Sequence, residues 1–418
     1  MEKTAPIKER VFTPYQVFII AVLTFLQFTI ILDFMVLSPL GEQLMKELDI
    51  STKQFGLVVS AYALSAGASG LLAAGFADRF DRKKLLIFFY IGFIIGTFFC
   101  GIAPDYHALL IARVVTGIFG GVIGSISFAI ITDLFPMEKR GRVMGFVQMA
   151  FAASQILGIP IGLYLANSLG WHSPFLLIVG TSIPAGILIV VYMRPVTAHL
   201  QIQSVRNPLE HLFKTVSKPR YLQAFAATAL LATGGFMLMP FGTAFSVNNL
   251  GMTREDLPLI FLITGLFSIV TGPLIGKYSD KVGKYTIFVI GSVWSIMMVL
   301  IYTHQGMIPL WTVITFNVLL FMGISARIIS SSALLTAVPD PADRGAFMGV
   351  NASLQQISGG IAAGIAGLIV HQETKTSPLE HYPVLGYVVS VTTIITIVMM
   401  YFLNRMVMRT QPDPNKSV

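Results

Sequence analysis

The chain has 418 residues, of which 55% are hydrophobic and only 11% are charged, and its mean hydropathy is +0.76. Soluble domains carry about 25% charged residues, so this composition excludes a water-soluble globular protein. The net charge is +8, but the basic residues are scattered over many separate segments, which argues against a nucleic-acid-binding surface. The one cysteine, Cys100, lies in an apolar run, so an intrachain disulfide is impossible and redox chemistry is not expected.

Twelve apolar runs are long enough to cross a bilayer of about 30 Å. Their predicted bounds are 15–41, 55–76, 84–103, 108–134, 143–167, 174–193, 221–248, 257–276, 285–304, 309–337, 346–370 and 383–404. The first run has no small-residue cleavage site after it, so we expect a retained span rather than a signal peptide. The sequence therefore predicts an all-α membrane protein with twelve transmembrane helices.

Local signals mark where some of these segments begin. Ser51 and Gln54 have the spacing of a capping box in front of the second span. Asn207-Pro208-x-Glu210 opens a short amphipathic segment within the longest polar stretch of the chain. This stretch divides the spans into two groups of six. The predicted domains are a six-helix bundle at 1–193, a cytoplasmic linker at 194–220 and a second six-helix bundle at 221–418.

The distribution of basic residues predicts the orientation in the membrane. If the N-terminus is cytoplasmic, the cytoplasmic segments hold 22 lysines and arginines and the external loops hold four. Arg113 and Arg327, the remaining two, lie within spans. By the positive-inside rule, this asymmetry places both termini in the cytoplasm.

The chain repeats itself at half its length. The acidic and basic loop at 74–84 returns at 276–284, and the motif at 140–145 returns at 344–349 with its arginine, methionine and both glycines retained. Repetition of this kind inside a membrane is typical of a transporter with two halves around a central site.

Over nearly its whole length, the chain resembles the major facilitator superfamily, which has two groups of six spans and a charged loop after spans two and eight. The loop pattern of that family is Gly-x-x-x-Asp-Arg/Lys-x-Gly-Arg/Lys, and its second copy here is matched by Gly276, Asp280, Lys281, Gly283 and Lys284. The first copy differs, with Ala74 at the leading glycine and Asp81 at the inner one. The resemblance implies two pseudo-symmetric bundles.

Span five resembles a particular branch of that family. The segment Gly158-Ile159-Pro160-Ile161-Gly162, followed by Gly170, Trp171 and His172, looks like the sugar-efflux and drug-proton antiporter branch. Ile159 separates a glycine and a proline that are usually adjacent, and His172 stands where an arginine is common. The resemblance implies export, although no residue encodes the direction of transport.

Asp33 and Arg113 are the predicted proton-coupling residues. Asp33 is the only acidic residue well inside a span, and carboxylates in hydrocarbon usually serve a function. Burial favours the neutral carboxyl and a nearby cation favours the charged one, so alternation between these environments can load and release a proton. Arg113 lies about 10 Å deep, near the depth of Asp33, and the two can pair. The family resemblance implies that this arginine takes part in proton coupling. The alternatives are a fixed polar contact and a snorkelling arginine.

Arg327 lies in the inner half of span ten, and the equivalent position in the first half is Gly124. Two arginines against one ionised aspartate make the cavity positive, which favours an anionic or hydroxyl-rich substrate over a lipophilic cation. The alternative is a guanidinium that binds carbonyls near the cytoplasmic gate.

Amide side chains within the spans can bond hydroxyl groups of a sugar or polar drug, although they also join neighbouring helices. With Arg327, the predicted substrate-binding residues are Gln27, Gln148, Gln155, Asn317, Asn351 and Gln355. Apolar walls are predicted from Phe25, Phe28, Phe34, Met35 and Phe236 to Met239.

The repeated loops predict a cytoplasmic gate. Because acids contribute little to the positive-inside rule, the two repeated aspartates indicate more than topology. We expect ion pairs here to hold the halves together when the site faces outward. The predicted gate residues are Asp78, Arg79, Arg82, Asp133, Asp280, Lys281 and Lys284. The alternative is that these cations only fix orientation.

The sequence thus predicts a proton-coupled secondary transporter of the bacterial inner membrane that exports a drug, sugar or organic anion by alternating access. The alternatives are a proton-coupled importer of a sugar or organic anion and a translocase of lysolipids or other amphiphiles. A channel is disfavoured because no repeated filter sequence occurs. An enzyme is not expected, since the spans contain no paired acid and base and no metal-ligand cluster. We expect no cofactor or metal, and a functional monomer whose partners are its substrate, protons and lipid.

Overall fold

The structure is a computed structural model in which residues 12–73, 77–201, 216–340 and 343–410 are described. These residues include twelve helices that are long and apolar enough to cross a membrane. They are α1 Pro14–Val36, α2 Thr52–Ala73, α3 Arg82–Gly101, α4 Tyr106–Leu134, α5 Met137–Leu169, α6 Ser173–Tyr192, α7 Pro219–Asn248, α8 Leu257–Val282, α9 Lys284–Thr303, α10 Leu310–Leu335, α11 Arg344–Ile369 and α12 Tyr382–Arg409. The predicted all-α membrane fold is confirmed.

The boundaries of four spans differ from the prediction by five residues or more. The first span was expected to reach residue 41, but α1 ends at Val36 and a separate short helix occupies Gly41–Glu47. At the other end of the membrane, α5 begins six residues earlier than predicted, α8 ends six residues later and α12 ends five residues later. All three extensions carry charged residues, because a helix continues past the hydrocarbon layer into the polar interface, where a run of apolar residues stops.

Side-chain caps begin several of the helices. The Ser51 hydroxyl accepts a hydrogen bond from the Gln54 amide N at 3.3 Å, and the Gln54 side chain accepts one from the Ser51 amide N at 2.9 Å. The predicted capping box is therefore present at the start of α2. Asp81 and Asp105 likewise accept hydrogen bonds from backbone amides at the starts of α3 and α4. These caps satisfy donors that a helix start leaves free.

The described residues that follow α6 and precede α7 lie at one end of the bundle, which we call the linker face. There the Val196 amide donates to the Asp81 carboxylate at 3.0 Å, beside the α2–α3 turn. The other end, with the Gly41–Glu47 helix and the loops before α8 and α12, is called the opposite face. The predicted amphipathic segment at Asn207 to Glu210 lies outside the described residues.

Helices α2 and α11 join the two halves of the bundle along most of their length. At the opposite face, the Thr52 hydroxyl donates to the Val370 carbonyl at 2.7 Å, and further in, Ser60 donates to the Gly360 carbonyl at 2.6 Å. Nearer the linker face, a methyl group on Gly70 would lie 2.8 Å from the Ser353 hydroxyl. From Thr52 to Gly70, this contact spans about 27 Å at the rise of an α-helix.

On the other side of the bundle, α5 and α8 touch only in the half of the membrane nearer the opposite face. The Asn167 amide donates to the Arg254 carbonyl at 2.9 Å, and a methyl on Gly265 would lie 2.8 Å from Ile156. Toward the linker face, methyl groups on Gly145 of α5 or Gly272 of α8 would meet no atom within 4 Å. The halves therefore separate here, and the bundle is open toward the linker face between α5 and α8.

Helix α5 contains one π turn, at Ser154–Gly158, where it changes from contacting the second half to standing free of it. The Ser154 hydroxyl donates to the Phe28 carbonyl of α1 at 3.0 Å. A methyl on Gly158 would lie 2.6 Å from the Leu32 side chain, so glycine permits the close approach of α5 to α1. These contacts fix the middle of α5 against the first half.

Candidate functional site

Asp33 of α1 and Arg113 of α4 form an ion pair inside the first half, and both side chains are fully buried. Arg113 Nη1 donates to Asp33 Oδ2 at 2.8 Å and to the Asp33 carbonyl at 3.3 Å. The Thr97 hydroxyl of α3 donates to Asp33 Oδ1 at 3.1 Å. Both carboxylate oxygens are therefore hydrogen-bonded, as a buried charge requires. The pairing that similar depth predicted is present.

Tyr62 of α2 covers the guanidinium of Arg113. The Arg113 Cζ atom lies 4.4 Å from the centre of the Tyr62 ring, within the range of a cation–π contact. The Tyr62 ring fits because α4 has Gly120 beside it, where a methyl group would lie 2.8 Å from the tyrosine oxygen. The pair is thus enclosed by α1, α2, α3 and α4, and Tyr62 forms the side that faces the interface between the halves.

Aromatic rings continue from Tyr62 into the second half. The Phe34 ring of α1 lies 5.3 Å from that of Tyr62 and 5.6 Å from that of Phe236 in α7. Phe236 packs on Gly359 of α11, where a methyl group would lie 2.7 Å from its ring. Ring centroids at these separations are in favourable contact. The ion pair of the first half is therefore connected by packed side chains to two helices of the second half.

Arg327 lies inside the second half without an ionic partner. Its exposure is 5%, and its side chain makes no hydrogen bond or ion pair with any described residue. Its terminal nitrogens lie near Gly234 of α7, where a methyl group would be 3.6 Å from Nη2. Arg327 therefore points between α7 and α10, and the predicted alternative of a carbonyl-bonded guanidinium is absent among the described residues.

In each half, a polar side chain on one helix lies opposite a glycine on another helix. The polar residue is on the first helix of its half in one case and on the fourth helix in the other. In the first half, Gln27 of α1 lies opposite Gly124 of α4, where a methyl group would be 3.5 Å from Gln27 Nε2. In the second half, Arg327 of α10 lies opposite Gly234 of α7. Gly124 is the position that the repeat equates with Arg327. The polar side chain of such a pair is therefore on α1 in the first half and on α10 in the second.

The other predicted substrate-binding amides occupy different environments. Gln148 and Gln355 are exposed, and Gln155 is half-buried within the π turn of α5. Asn317 donates to the Val313 carbonyl of its own helix at 2.9 Å. Asn351 accepts a hydrogen bond from the Thr228 hydroxyl at 2.6 Å, which joins α11 to α7. These two amides thus have bonds within the second half, while the three glutamine side chains form no hydrogen bond with a described residue.

At the linker face, one predicted gate pair is present. Arg82 Nε lies 3.4 Å from Asp133 Oδ2, and His199 Nδ1 lies 3.1 Å from the same oxygen. The contact lies within the first half and includes the linker. Arg79, Asp280, Lys281 and Lys284 have no ion-pair partner among the described residues, and the Asp78 side chain lies outside them. In this arrangement, therefore, the gate residues do not connect the halves.

A second ionic cluster at the linker face was not predicted. The Lys218 ammonium donates to the Asp343 carboxylate, and Arg220 Nη1 lies 3.6 Å from Asp340 Oδ1. The hydrogen bond to Asp343 raises the pKa of Lys218, so this lysine is charged at neutral pH. The Tyr221 hydroxyl donates to Asp343 at 2.8 Å. The cluster ties the end of the linker to the α10–α11 turn.

The opposite face is closed by contacts that sequence reasoning also missed. Arg254 Nε donates to Glu42 Oε2 at 2.6 Å, and the Glu42 side chain is buried. The Thr243 hydroxyl donates to the Ser38 carbonyl at 3.1 Å. An exposed pair, Lys375 with Asp49, lies at the rim. The sequence did single out Arg254 as one of only four basic residues in the predicted external loops. It could not identify Glu42 as the partner, because the two residues are 212 positions apart.

Twelve spans in two halves, closed at one face and open at the other, define a multi-pass membrane transporter. The described residues hold no group of three histidines, cysteines or acids that could bind a metal ion. The family model described as Major Facilitator Superfamily matches residues 23–363 and 224–417. The chain belongs to the major facilitator superfamily, as its motifs predicted.

Two relatives of this chain are named as efflux proteins. An uncharacterized MFS-type transporter, YceJ of Bacillus subtilis, is 32% identical over 268 residues, which are 63% of this chain and 67% of YceJ. The multi-drug resistance efflux pump PmrA of Streptococcus pneumoniae is 26% identical over 75% of this chain and 78% of the pump. A probable sugar efflux transporter of Pasteurella multocida is 24% identical over 74% of each chain.

A solved structure shares the fold. It is an inward-facing, unoccupied bacterial homologue of the human lysosomal transporter Spinster, with a TM-score of 0.73 and 16% identity, covering 96% of this chain and all of that one. At this identity, the likeness concerns the fold alone.

Proposed function

We propose that the protein is a proton-coupled secondary transporter that exports a small organic molecule across the bacterial inner membrane by alternating access. The observation that carries the proposal is the buried Asp33–Arg113 pair, which contacts the second half through Tyr62, Phe34 and Phe236. An intramembrane ionisable pair is by default a functional site in a transporter. Here it is also packed against the interface that must rearrange.

The linker face is the cytoplasmic face in this proposal, as the distribution of basic residues favours. The open side between α5 and α8 then admits substrate from the cytoplasm, while the Glu42–Arg254 contact closes the external side. Both termini are cytoplasmic in this orientation. The efflux functions named for the pump PmrA and the probable sugar efflux transporter support export as the direction.

Protonation of Asp33 provides the coupling step. A neutral carboxyl no longer holds Arg113 as an ion-pair partner, so the guanidinium is free to turn toward the backbone carbonyls around it. Its ring contact with Tyr62 changes with it, and Tyr62 touches Phe34, which touches Phe236 of the second half. The protonation state of Asp33 thereby favours one arrangement of the halves over the other. Substrate that binds best when Asp33 is deprotonated leaves the site as the proton binds, so substrate and proton are exchanged across the membrane.

Substrate specificity falls to the polar groups near the opening. Gln27, Gln148, Gln155 and Gln355 offer side-chain amides that form no hydrogen bond with a described residue, and Arg327 supplies a positive charge deeper in the second half. Asn317 and Asn351 would need to exchange their present bonds to reach a ligand. The phenylalanines at 25, 28, 34 and 236 supply apolar contact area.

Transport into inside-out and right-side-out vesicles with an imposed pH gradient tests the proposal. We expect proton-driven accumulation of a drug, sugar or organic anion in inside-out vesicles. Asp33→Asn should abolish gradient-driven movement and spare substrate exchange. Asp105→Asn is the matched control, because Asp105 is an exposed helix cap and asparagine also caps. Unchanged driven transport in Asp33→Asn would overturn the coupling role, and substrate movement in the direction of proton flow would indicate an importer.

A second candidate, translocation of lysolipids or other amphiphiles, is favoured by the one-sided opening. Because α2 and α11 stay packed while α5 and α8 separate, the space between the halves borders the lipid of the linker-side leaflet on one side. An amphiphile can enter such a space with its chain still in lipid. Movement of a fluorescent lysolipid between leaflets of reconstituted vesicles, without movement of soluble substrates, would support this candidate over the first.

A further inference from the structure

Arg327 has no protein counter-ion within reach. The other intramembrane charges, Asp33 and Arg113, are paired with each other in the first half. The remaining acids within the twelve described spans are Asp133, Glu138 and Asp280, which lie at the linker-face ends of their helices. Arg327 lies eight residues from the linker-face end of α10, or about 12 Å. Its charge is thus neutralised by no described side chain.

Two further buried hydroxyls lie on helices that pack near Arg327. Two buried hydroxyls, those of Ser292 in α9 and Thr393 in α12, have no hydrogen-bond partner among the described residues. Ser292 follows Gly291, where a methyl group would lie 3.3 Å from the Arg327 amide N. Thr393 is one helical turn from Val389, which approaches the same point at Gly234 as the guanidinium does. Two buried hydroxyls without partners therefore lie on helices that also contribute residues next to Arg327.

We propose that Arg327 is the centre of an anion-binding site, and that Ser292 and Thr393 supply further donors from α9 and α12. A guanidinium has only donors, and hydroxyl groups can donate, so the set complements a group that only accepts hydrogen bonds. The ligand class is a monoanion such as a halide, carboxylate or sulfonate. The inference deepens the proposed function and rests on it for the statement that the anionic group belongs to a transported molecule.

The charge argument separates this site from ordinary helix packing. A buried arginine without a partner is strongly destabilising, whereas a bound anion restores a compensated pair. The glycine at 234 leaves the side of the guanidinium toward α7 clear of any side chain of its own. A lipophilic cation would be repelled by the same group. The site therefore selects for a negatively charged group on the ligand, whatever contacts the rest of the ligand makes.

Bromide is the first probe, because Trp294 reports on its binding. A methyl group on Gly323 would lie 2.9 Å from Trp294 Cδ1, and Gly323 is one helical turn from Arg327. Bromide at Arg327 should quench the tryptophan. Purified full-length protein in nanodiscs is titrated with sodium bromide against sodium gluconate at constant ionic strength. We expect saturable quenching and a rise of several degrees in the unfolding midpoint.

Arg327→Gln should lose both effects, and Arg344→Gln is the matched control, since Arg344 is an exposed arginine at the start of α11. Gly234→Asp is the second variant. A carboxylate there would lie within reach of Nη1 and Nη2, which are 3.9 and 3.6 Å from the position of its Cβ. It should fold as well as the wild type and show no response to bromide, because the site then holds an internal anion.

Two measurements distinguish an organic substrate from an inorganic anion as the ligand of this site. Competition of benzoate and methanesulfonate with bromide quenching assigns the site to the anionic group of an organic substrate. Response to halides alone assigns it to an inorganic anion. Quenching that is linear with bromide concentration, or equal in wild type and Arg327→Gln, overturns the proposal. Binding is read without a pH gradient, so a protein that binds bromide at Arg327 but fails in driven transport contradicts only the proposed function.

Discussion

At the scale of single residues, the Asp33–Arg113 pair shows why a buried ion pair is costly to break. Transfer of two charges from water into the membrane interior is unfavourable, and the hydrogen bonds of Thr97 and the ring of Tyr62 offset part of that cost. The pair as a whole therefore stabilises the fold only modestly. Removal of one member, however, leaves the other charge buried without a partner.

This asymmetry makes a prediction about stability. Asp33→Leu should lower the free energy of unfolding by about 3–5 kcal/mol, because Arg113 is left unpaired. The double variant Asp33→Leu/Arg113→Met should recover most of the loss. Thermal unfolding of the two proteins in the same detergent is the measurement. Additive losses in the double variant would show that the two side chains do not compensate each other.

Tyr62 makes a second prediction at this scale. Its ring, not its hydroxyl, contacts both Arg113 and Phe34. Tyr62→Phe should therefore keep proton-driven transport within about a factor of two. Tyr62→Leu loses a cation–π contact of about 1–2 kcal/mol and should slow transport by roughly tenfold. Initial rates in vesicles under the same pH gradient test this, with protein amounts matched. Equal rates in the two variants would remove Tyr62 from the coupling route.

The sequence could predict part of this site. Asp33 and Arg113 stand out because a charge in an apolar run is rare, and equal depth is readable from residue counts. Tyr62 and Thr97 could not be found that way, since hydroxyls and aromatic rings are common in membrane helices and residue counts do not show which neighbour they face. Arg327 was predicted as a buried charge, but its lack of a partner is a property of the packing alone.

At the scale of elements, the glycines of the spans have two kinds of surroundings. A methyl group on Gly121 would lie 2.3 Å from the Ala66 carbonyl, so α2 and α4 approach closely in the first half. Gly145 and Gly272 have open space around them. The first kind of glycine maintains a permanent contact, and the second lies where α5 and α8 must meet when the linker face closes.

Bulky substitutions at the glycines with open space around them should therefore reduce transport without lowering the stability of the present structure. Gly145→Leu and Gly272→Leu should leave the unfolding midpoint unchanged and reduce transport at least tenfold. Gly121→Ala should lower the midpoint by several degrees, because the methyl group collides with backbone. Thermal unfolding and vesicle transport are measured side by side. Full transport in both leucine variants would contradict closure of α5 on α8.

Apolar run lengths predicted all twelve helices, but four of their ends were misplaced by five or six residues. The break after Val36 was missed because run length takes no account of Pro39, which has no amide hydrogen and cannot continue a helix. The π turn of α5 was missed because Gly158 and Pro160 lie in a segment that stays apolar, and its geometry also depends on contacts with Phe28 and Leu32 of α1.

At the scale of the whole molecule, the contacts that close the opposite face hold the protein in its present arrangement. The Glu42–Arg254 bond joins the halves across 212 positions of chain, and Glu42 is largely removed from solvent. A pair of this kind is stronger than an exposed one such as Asp49–Lys375. No sequence pattern identifies such a pair, because the docking of two separately folded halves brings its members together.

A charge exchange tests that contact. Glu42→Arg should weaken closure of the opposite face, because two arginines then repel each other, and transport should fall several-fold. Glu42→Arg/Arg254→Glu should restore it. Lys375→Asp with Asp49 intact serves as the control, since that pair is exposed and should matter little. Rates in vesicles at low and at high salt provide the measurement, and failure of the exchanged pair to recover would assign Glu42 another role.

The π turn of α5 has a consequence for how the two halves of the protein move relative to each other. A π turn inserts one residue into a helix without ending it, and it loosens the regular bonding of the backbone there. Ser154 and Gly158 are fixed to α1, so the part of α5 beyond them toward the linker face can tilt about this point. In the proposed transport cycle, bending of α5 at this turn closes the linker face with less displacement of the first half than rigid rotation requires.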